Sequence, residues 1–87
     1  MAKILSKGQN VFIRTVTHYY TGHVAAIDAG GVTLDKAAWI ADTGRFHMAL
    51  KTGALNEVEP FVDPVYIPLT AIIDATIWRH ALPIEQQ

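Results

Sequence analysis

The chain has no cysteine, no internal repeat, no low-complexity tract and no long apolar run, and each absence removes a class of protein. Without cysteine there is no disulfide framework and no thiolate metal site, so stability must come from a packed core or from association with other chains. The composition is 51% hydrophobic, yet no apolar stretch nears the roughly 18 residues that span a bilayer, which excludes a transmembrane helix. Lys3 and Lys7 flank only Ile4 and Leu5, far short of the roughly 7–15 apolar residues of a signal peptide, so a cytoplasmic chain with no membrane partner is expected. The 7 Lys and Arg are scattered and nearly balance the 8 Asp and Glu, which argues against strong unspecific attraction to a polyphosphate. A length of 87 residues suits one domain, residues 1–87, and not two.

What is present centres on residues 65–78, VYIPLTAIIDATIW. Val65, Tyr66 and Ile67 are strand formers, Pro68 removes a ladder donor, and β-character returns from Ile72 to Trp78. Two short strands joined by so tight a corner, of 3₁₀ type, do not share a flat sheet comfortably, and a sharply bent or closed sheet is the expected product.

Taken in order, residues 2–6 suggest a turn or two of helix ended by Gly8. Strands are expected at about 10–17, 19–28 and 31–40, with Val11, Ile13 and Thr15 on one face, a bend at Gly22, and a hairpin turn at Asp28, Ala29, Gly30 and Gly31. Residues 41–64 form an insertion containing a short helix, capped by Asp42 or Thr43, with Phe46, Ala49 and Leu50 on one face and Gly53 after its end. That helix is expected to cover the open side of a barrel. Pro60 and Pro64 bracket Phe61 and mark loop or frayed edge strand. Strands at 65–68 and 71–78 complete the set, and residues 79–87 read as a partly disordered tail broken by Pro83. The fold class is therefore all-β: a five-stranded SH3-like small barrel with a short N-terminal helix and a helical insertion between strands 3 and 4.

Chemistry-bearing residues have plainer readings. His18, His23, His47 and His80 include no helical i, i+4 pair with a Glu, so they are read as exposed or hydrogen-bonded imidazoles and no metal is assigned. Asp28 is expected to bond its own turn backbone and Asp35 to lie solvated on the outer face. No nucleophile, phosphate loop or convergent polar pocket appears, so no catalytic residue and no cofactor is assigned and an enzyme is not expected. Tyr19, Tyr20, Trp39, Phe46 and Trp78 are read first as packing residues and second as stacking platforms beside Arg14, Lys36, Arg45 or Arg79. Tyr19, Tyr20 and Trp39 are also the candidates for an SH3-like peptide-binding surface.

The order of elements resembles the Sm and Sm-like family, which includes the bacterial Hfq branch. In YTGHVAAID, Gly22, Val24, Ile27 and Asp28 take the places of the first Sm motif, with Leu34 at its apolar end. Ile67 and Ile72 take the outer apolar places of the second motif, commonly apolar-Arg-Gly-x-Asn-apolar. Where family members hold a base, this chain has Gly31, in a turn one residue shorter, and Pro68 and Ala71 replace the second motif's Arg and Asn. The resemblance implies a closed homo-oligomeric ring of about five to seven subunits, in which the fourth strand of one copy pairs with the fifth of the next. The implied interface is Val65, Tyr66, Ile67, Ile73, Ala75 and Ile77. RNA enters as a partner by the resemblance, with Gly31, Arg79 and His80 as the candidate contacts. The alternative is an architectural or protein-interaction ring with no nucleic-acid site.

Overall fold

Val11, Phe12 and Ile13 are three consecutive buried apolar residues, which a strand accommodates only when both its faces are covered. The computed structural model, which describes residues 4–87, has that arrangement. β1 (Asn10–Thr15), β2 (Tyr19–Ile27), β3 (Gly31–Asp42), β4 (Glu57–Pro60), β5 (Val65–Pro68) and β6 (Ile72–Ile77) form one antiparallel sheet, with α1 (Phe46–Thr52) between β3 and β4. The sheet order is β4-β3-β2-β1-β6, and β5 pairs with the first half of β3, opposite Gly31 to Leu34.

One face buries Val11, Ile13, Val24, Val32, Leu34, Ala37 and Ile67, with Leu5, Tyr20, Val65, Ile72 and Ala75 packed around them. The opposite face buries Phe12, Ala38, Ile40, Ala49, Leu55, Val58 and Trp78, with Tyr19, Leu50 and Leu82 at its margin. Each fully buried large side chain contributes about 1.5–3 kcal/mol, so the two layers together supply a core that one face of so small a domain lacks. Strand curvature comes from ladder irregularities in β2 between Thr21 and His23 and between Val24 and Ala26, and β3 turns at Lys36, which has φ 48°. At Gly22 a Cβ would lie 2.9 Å from the Leu34 Cβ, so glycine there permits close approach across the first layer.

All-β architecture, the Asp28 turn and the corner of residues 65–78 match expectation: β5 and β6 are joined by a 3₁₀ turn at Leu69–Ala71. Several expectations are corrected. There are six strands rather than five, and the barrel is not closed, because β5 and β6 do not pair. The additional strand is β4, which tolerates Pro60 for a geometric reason. Phe61 N–H donates to the Ala37 carbonyl, so along this ladder residues 59 and 61 face β3 while 58 and 60 face outward. The missing N–H of Pro60 thus falls on the open side.

The expected N-terminal helix is absent over residues 4–8, which form bends and a turn, and Met1, Ala2 and Lys3 lie outside the described residues. Gly8, at φ 95°, donates its N–H to the Val24 carbonyl, which ties this segment to β2. The α1 N-cap is Arg45, not Asp42 or Thr43. The Asp42 carboxylate instead accepts from the Gly44 N–H at 2.8 Å, while Gly53 closes the helix in the left-handed conformation as expected. Helix α1 covers the second face of the sheet rather than a barrel opening. The tail is held: Trp78 Nε1–H donates to the Ala81 carbonyl, Pro83 is buried, and Gln87 exchanges two 3.0 Å hydrogen bonds with Val58. No helix among the described residues is long and apolar enough to cross a membrane.

Candidate functional site

Among the described residues the candidate surfaces are the pair of strand edges at β5 and β6 and a groove beside the β1–β2 turn. Hydrogen-bond parity determines what each edge offers. Trp78 N–H donates to the Asn10 carbonyl at 2.9 Å, in register with Val11 opposite Ile77, so Thr76 and Asp74 face β1. Ala75 and Ile77 therefore turn their N–H and C=O groups outward, and among the described residues nothing pairs with that side. Ile73, at the ladder irregularity, is 60% exposed.

On β5, Leu69 N–H donates to the Gly30 carbonyl at 2.9 Å, so Val65 and Ile67 face β3 while Tyr66 and Pro68 face outward. Pro68 offers no donor, which leaves Tyr66 as the outward N–H of this strand. Tyr66 is 49% exposed, and its hydroxyl donates to Asp28 Oδ1 at 3.0 Å. The same carboxylate oxygen accepts from Gly30 N–H at 2.8 Å and Gly31 N–H at 2.9 Å. Gly30 foremost, then Tyr66 and Gly31, holds the Asp28 carboxyl below its ordinary range, and burial, with Asp28 next, raises the Tyr66 phenol.

The second surface is a groove of about 310 Å³ between the β1–β2 turn and the second half of β3, lined by Val16, Thr17, His18, Trp39 and Ala41 among others. Tyr20 and Trp39 are cross-strand partners. His18 lies against both rings, 5.0 Å from Tyr20 and 5.2 Å from Trp39, and its Nε2 is 2.8 Å from the Tyr20 hydroxyl. Phe61 stacks on Tyr20 at 6.0 Å, completing a row of four rings. Burial raises the Tyr20 phenol.

Of the three predicted nucleic-acid positions, only Arg79 is exposed. Gly31 is buried, and a Cβ there would lie 2.6 Å from the Ile67 carbonyl oxygen, so its smallness serves the approach of β5. His80 donates Nε2–H to the Leu50 carbonyl at 2.7 Å and packs on Trp78 and Gly53, where it holds the tail to α1. The predicted interface residues divide by direction. Tyr66 and Ile73 are exposed, Ala75 and Ile77 present outward backbone, Val65 is half-buried against the first layer, and the Ile67 side chain is inside it.

Tyr19 lines the groove with Trp39 but packs its ring at 5.6 Å on Phe12 in the layer opposite Tyr20. Strand parity carried that signal, because consecutive residues point to opposite faces. Arg14 bridges Asp74 through two hydrogen bonds, the Nε one at 2.8 Å, and lies over Phe46. Asp35 is not solvated as expected, because its Oδ1 is buried with no hydrogen-bond partner among the described residues. Among the described residues no three His, Asp or Glu side chains gather as a metal site. Sequence reasoning missed the ring partners His18 and Phe61, which are brought to Tyr20 by the β1–β2 turn and the segment after β4. Comparison of the chain with protein-family models, with curated proteins and with solved structures finds no match.

Proposed function

We propose that this chain is a self-assembling small β-module of Sm-like type, in which the β5 edge of one copy pairs with the β6 edge of the next to close a ring. The observation that carries the reading is the outward backbone of Ala75 and Ile77, unpartnered among the described residues and set beside exposed Ile73, Tyr66 and Leu69. Backbone donors and acceptors on a regular strand edge template a further strand, and a heterologous contact that closes removes every such edge at once. The strand, 3₁₀ turn, strand corner supports the reading further, because it presents the two edges on either side of one tight turn. Pro68 confines pairing on the β5 side to the neighbourhood of Tyr66, which makes the contact short and its register specific.

The ring's role in this reading is architectural. Gly31 and His80 are occupied in packing, so nucleic acid has no assembled base pocket to recommend it at those positions. Light scattering at low and high salt tests the assembly: a mass of about five to seven chains is expected, unchanged by salt because backbone pairing is not screened as surface charge is. Ile73→Lys is expected to reduce that mass to one chain with the fold intact, since an edge lysine blocks strand addition. A wild-type monomer overturns the proposal, and nucleic acid absorbance in the purified ring would move the reading from architecture to RNA.

A further inference from the structure

The groove beside the β1–β2 turn is remote in kind from the assembly edges, because it offers an exposed indole, with carboxylates on the neighbouring β4 strand, rather than open backbone. Trp39 is 39% exposed and lies between Tyr20 on β2 and Glu59 on β4, each directly opposite it in register. Directly opposed residues share a face, so a carboxylate stands beside the exposed indole. Glu57 is likewise opposite Asp42, a like-charge pair that is unfavourable unless a cation relieves it. Asp63 follows on the chain segment that also holds Phe61 and Val62, the latter 98% exposed.

Asp42, Glu57, Glu59 and Asp63 are half of the chain's 8 acidic residues, and none of its 7 Lys and Arg falls within residues 15–20, 38–42 or 57–63. The ion pair found among the described residues is elsewhere, between Arg14 and Asp74. Glu59 does accept from Gln86 Nε2–H at 2.9 Å and Asp42 from the Gly44 N–H, but neither contact supplies positive charge.

We infer that the Trp39 groove binds a lysine- or arginine-bearing extended peptide segment of a protein partner, with a cationic head on the Trp39 face and its charge met by Glu59 and Glu57. The ring face attracts a cation through its quadrupole, and neighbouring carboxylates add to the attraction. Val16, 77% exposed on the opposite lip, gives the aliphatic stem of such a side chain an apolar wall. The volume lies at the lower limit of small-molecule sites, roughly 300–1,000 Å³, which suits one side chain better than a cofactor. The same rings would stack bases, but carboxylates without counter-cations repel phosphates, so single-stranded nucleic acid is the less compatible occupant.

The test is fluorescence anisotropy of a labelled peptide of alternating arginine and serine against the full chain, with a citrulline-for-arginine peptide and oligouridylate as comparison probes. The arginine peptide is expected to bind, to weaken as salt rises, and to exceed both other probes. Trp39→Leu is expected to weaken it by roughly two- to fivefold, the scale of one exposed cation–π contact, while Trp39→Phe retains part of that binding. Glu57→Gln and Glu59→Gln, made singly, each weaken it, whereas Asp74→Asn, which removes equal charge on the other face, does so much less. Thermal melts of each variant establish that it is folded, and Trp39→Phe keeps the test meaningful should Trp39→Leu unfold. Equal binding of the citrulline peptide, tighter binding of oligouridylate, no binding of the arginine peptide, or an unaltered affinity in folded Trp39→Leu each overturns the inference.

Discussion

The β4 and β6 strands both lie at an end of the sheet path, yet only one of them is finished. On β4 the outward groups of Val58 are taken by Gln87, and the next outward position is Pro60, which has no donor to offer. On β6 the outward groups of Ala75 and Ile77 meet no described residue, and exposed Ile73 stands beside them. A strand edge is a template for pairing unless something occupies or interrupts it, so the chain closes one end of its sheet with its own tail and leaves the other available. The β5 edge is intermediate, with Pro68 blunting it and Tyr66 open.

The comparison is broken most severely at Gly31. A Cβ at this position meets the Ile67 carbonyl oxygen and the Tyr66 ring, both at 2.6 Å, so Gly31→Val must push β5 off β3. The expected loss of stability is about 1–3 kcal/mol or more, read from urea unfolding, together with loss of assembly. An unchanged midpoint would mean that β5 shifts freely and is not a fixed edge.

Removing residues 84–87 tests the finished edge. The two Val58–Gln87 hydrogen bonds disappear, at roughly 0.5–1.5 kcal/mol each, and β4 becomes a second open edge. Larger, concentration-dependent particles are expected by dynamic light scattering, and a variant with wild-type mass and stability would show that the tail is not the guard of this edge.

A smaller effect sharpens the β5 side. The Asp28 carboxyl is held below its ordinary range first by Gly30 and then by Tyr66 and Gly31, so ionised Asp28 stabilises the fold fully above its unfolded value of about 3.9. That contribution is lost as pH falls through the lower folded value. Asp28→Ala should therefore flatten the acid limb of the melting-temperature profile, and an identical limb would detach Tyr66 from the turn.

The smallest effect is expected on β6 itself. Asp74 is lowered chiefly by its hydrogen bond to Arg14, and both partners are solvent-exposed, so Asp74→Asn should shift the melting temperature least and leave the particle mass unchanged. Loss of assembly in this variant would relocate the contact from backbone edge to side-chain charge.

β1, β2 and β3 were legible because β-branched and aromatic residues favour extended backbone whatever their partners, and the corner of residues 65–78 was legible because Pro68 interrupts two such runs. Glu57–Pro60 was not, since two glutamates and a proline disfavour a strand wherever its edge position is unknown. That Ala75 and Ile77 form one set could be read from alternation, whereas the direction of that set follows from the Trp78 hydrogen bond to Asn10. His80 could not, because its partner, Leu50, is 30 residues away and is reached only when the tail folds over α1.

The sequence by itself determined an all-β chain without disulfides, the Asp28 turn with its glycines, the Gly53 helix end, and the alternation of β6, because each follows from local dihedral preference or from strand period. Only the tertiary structure decided that the sheet is covered on both faces, that the tail occupies Val58, and that Trp39 lies between Tyr20 and Glu59. Those are pairings between distant segments. Local preference sets which conformation a residue adopts, whereas burial and edge pairing depend on which other segment arrives beside it.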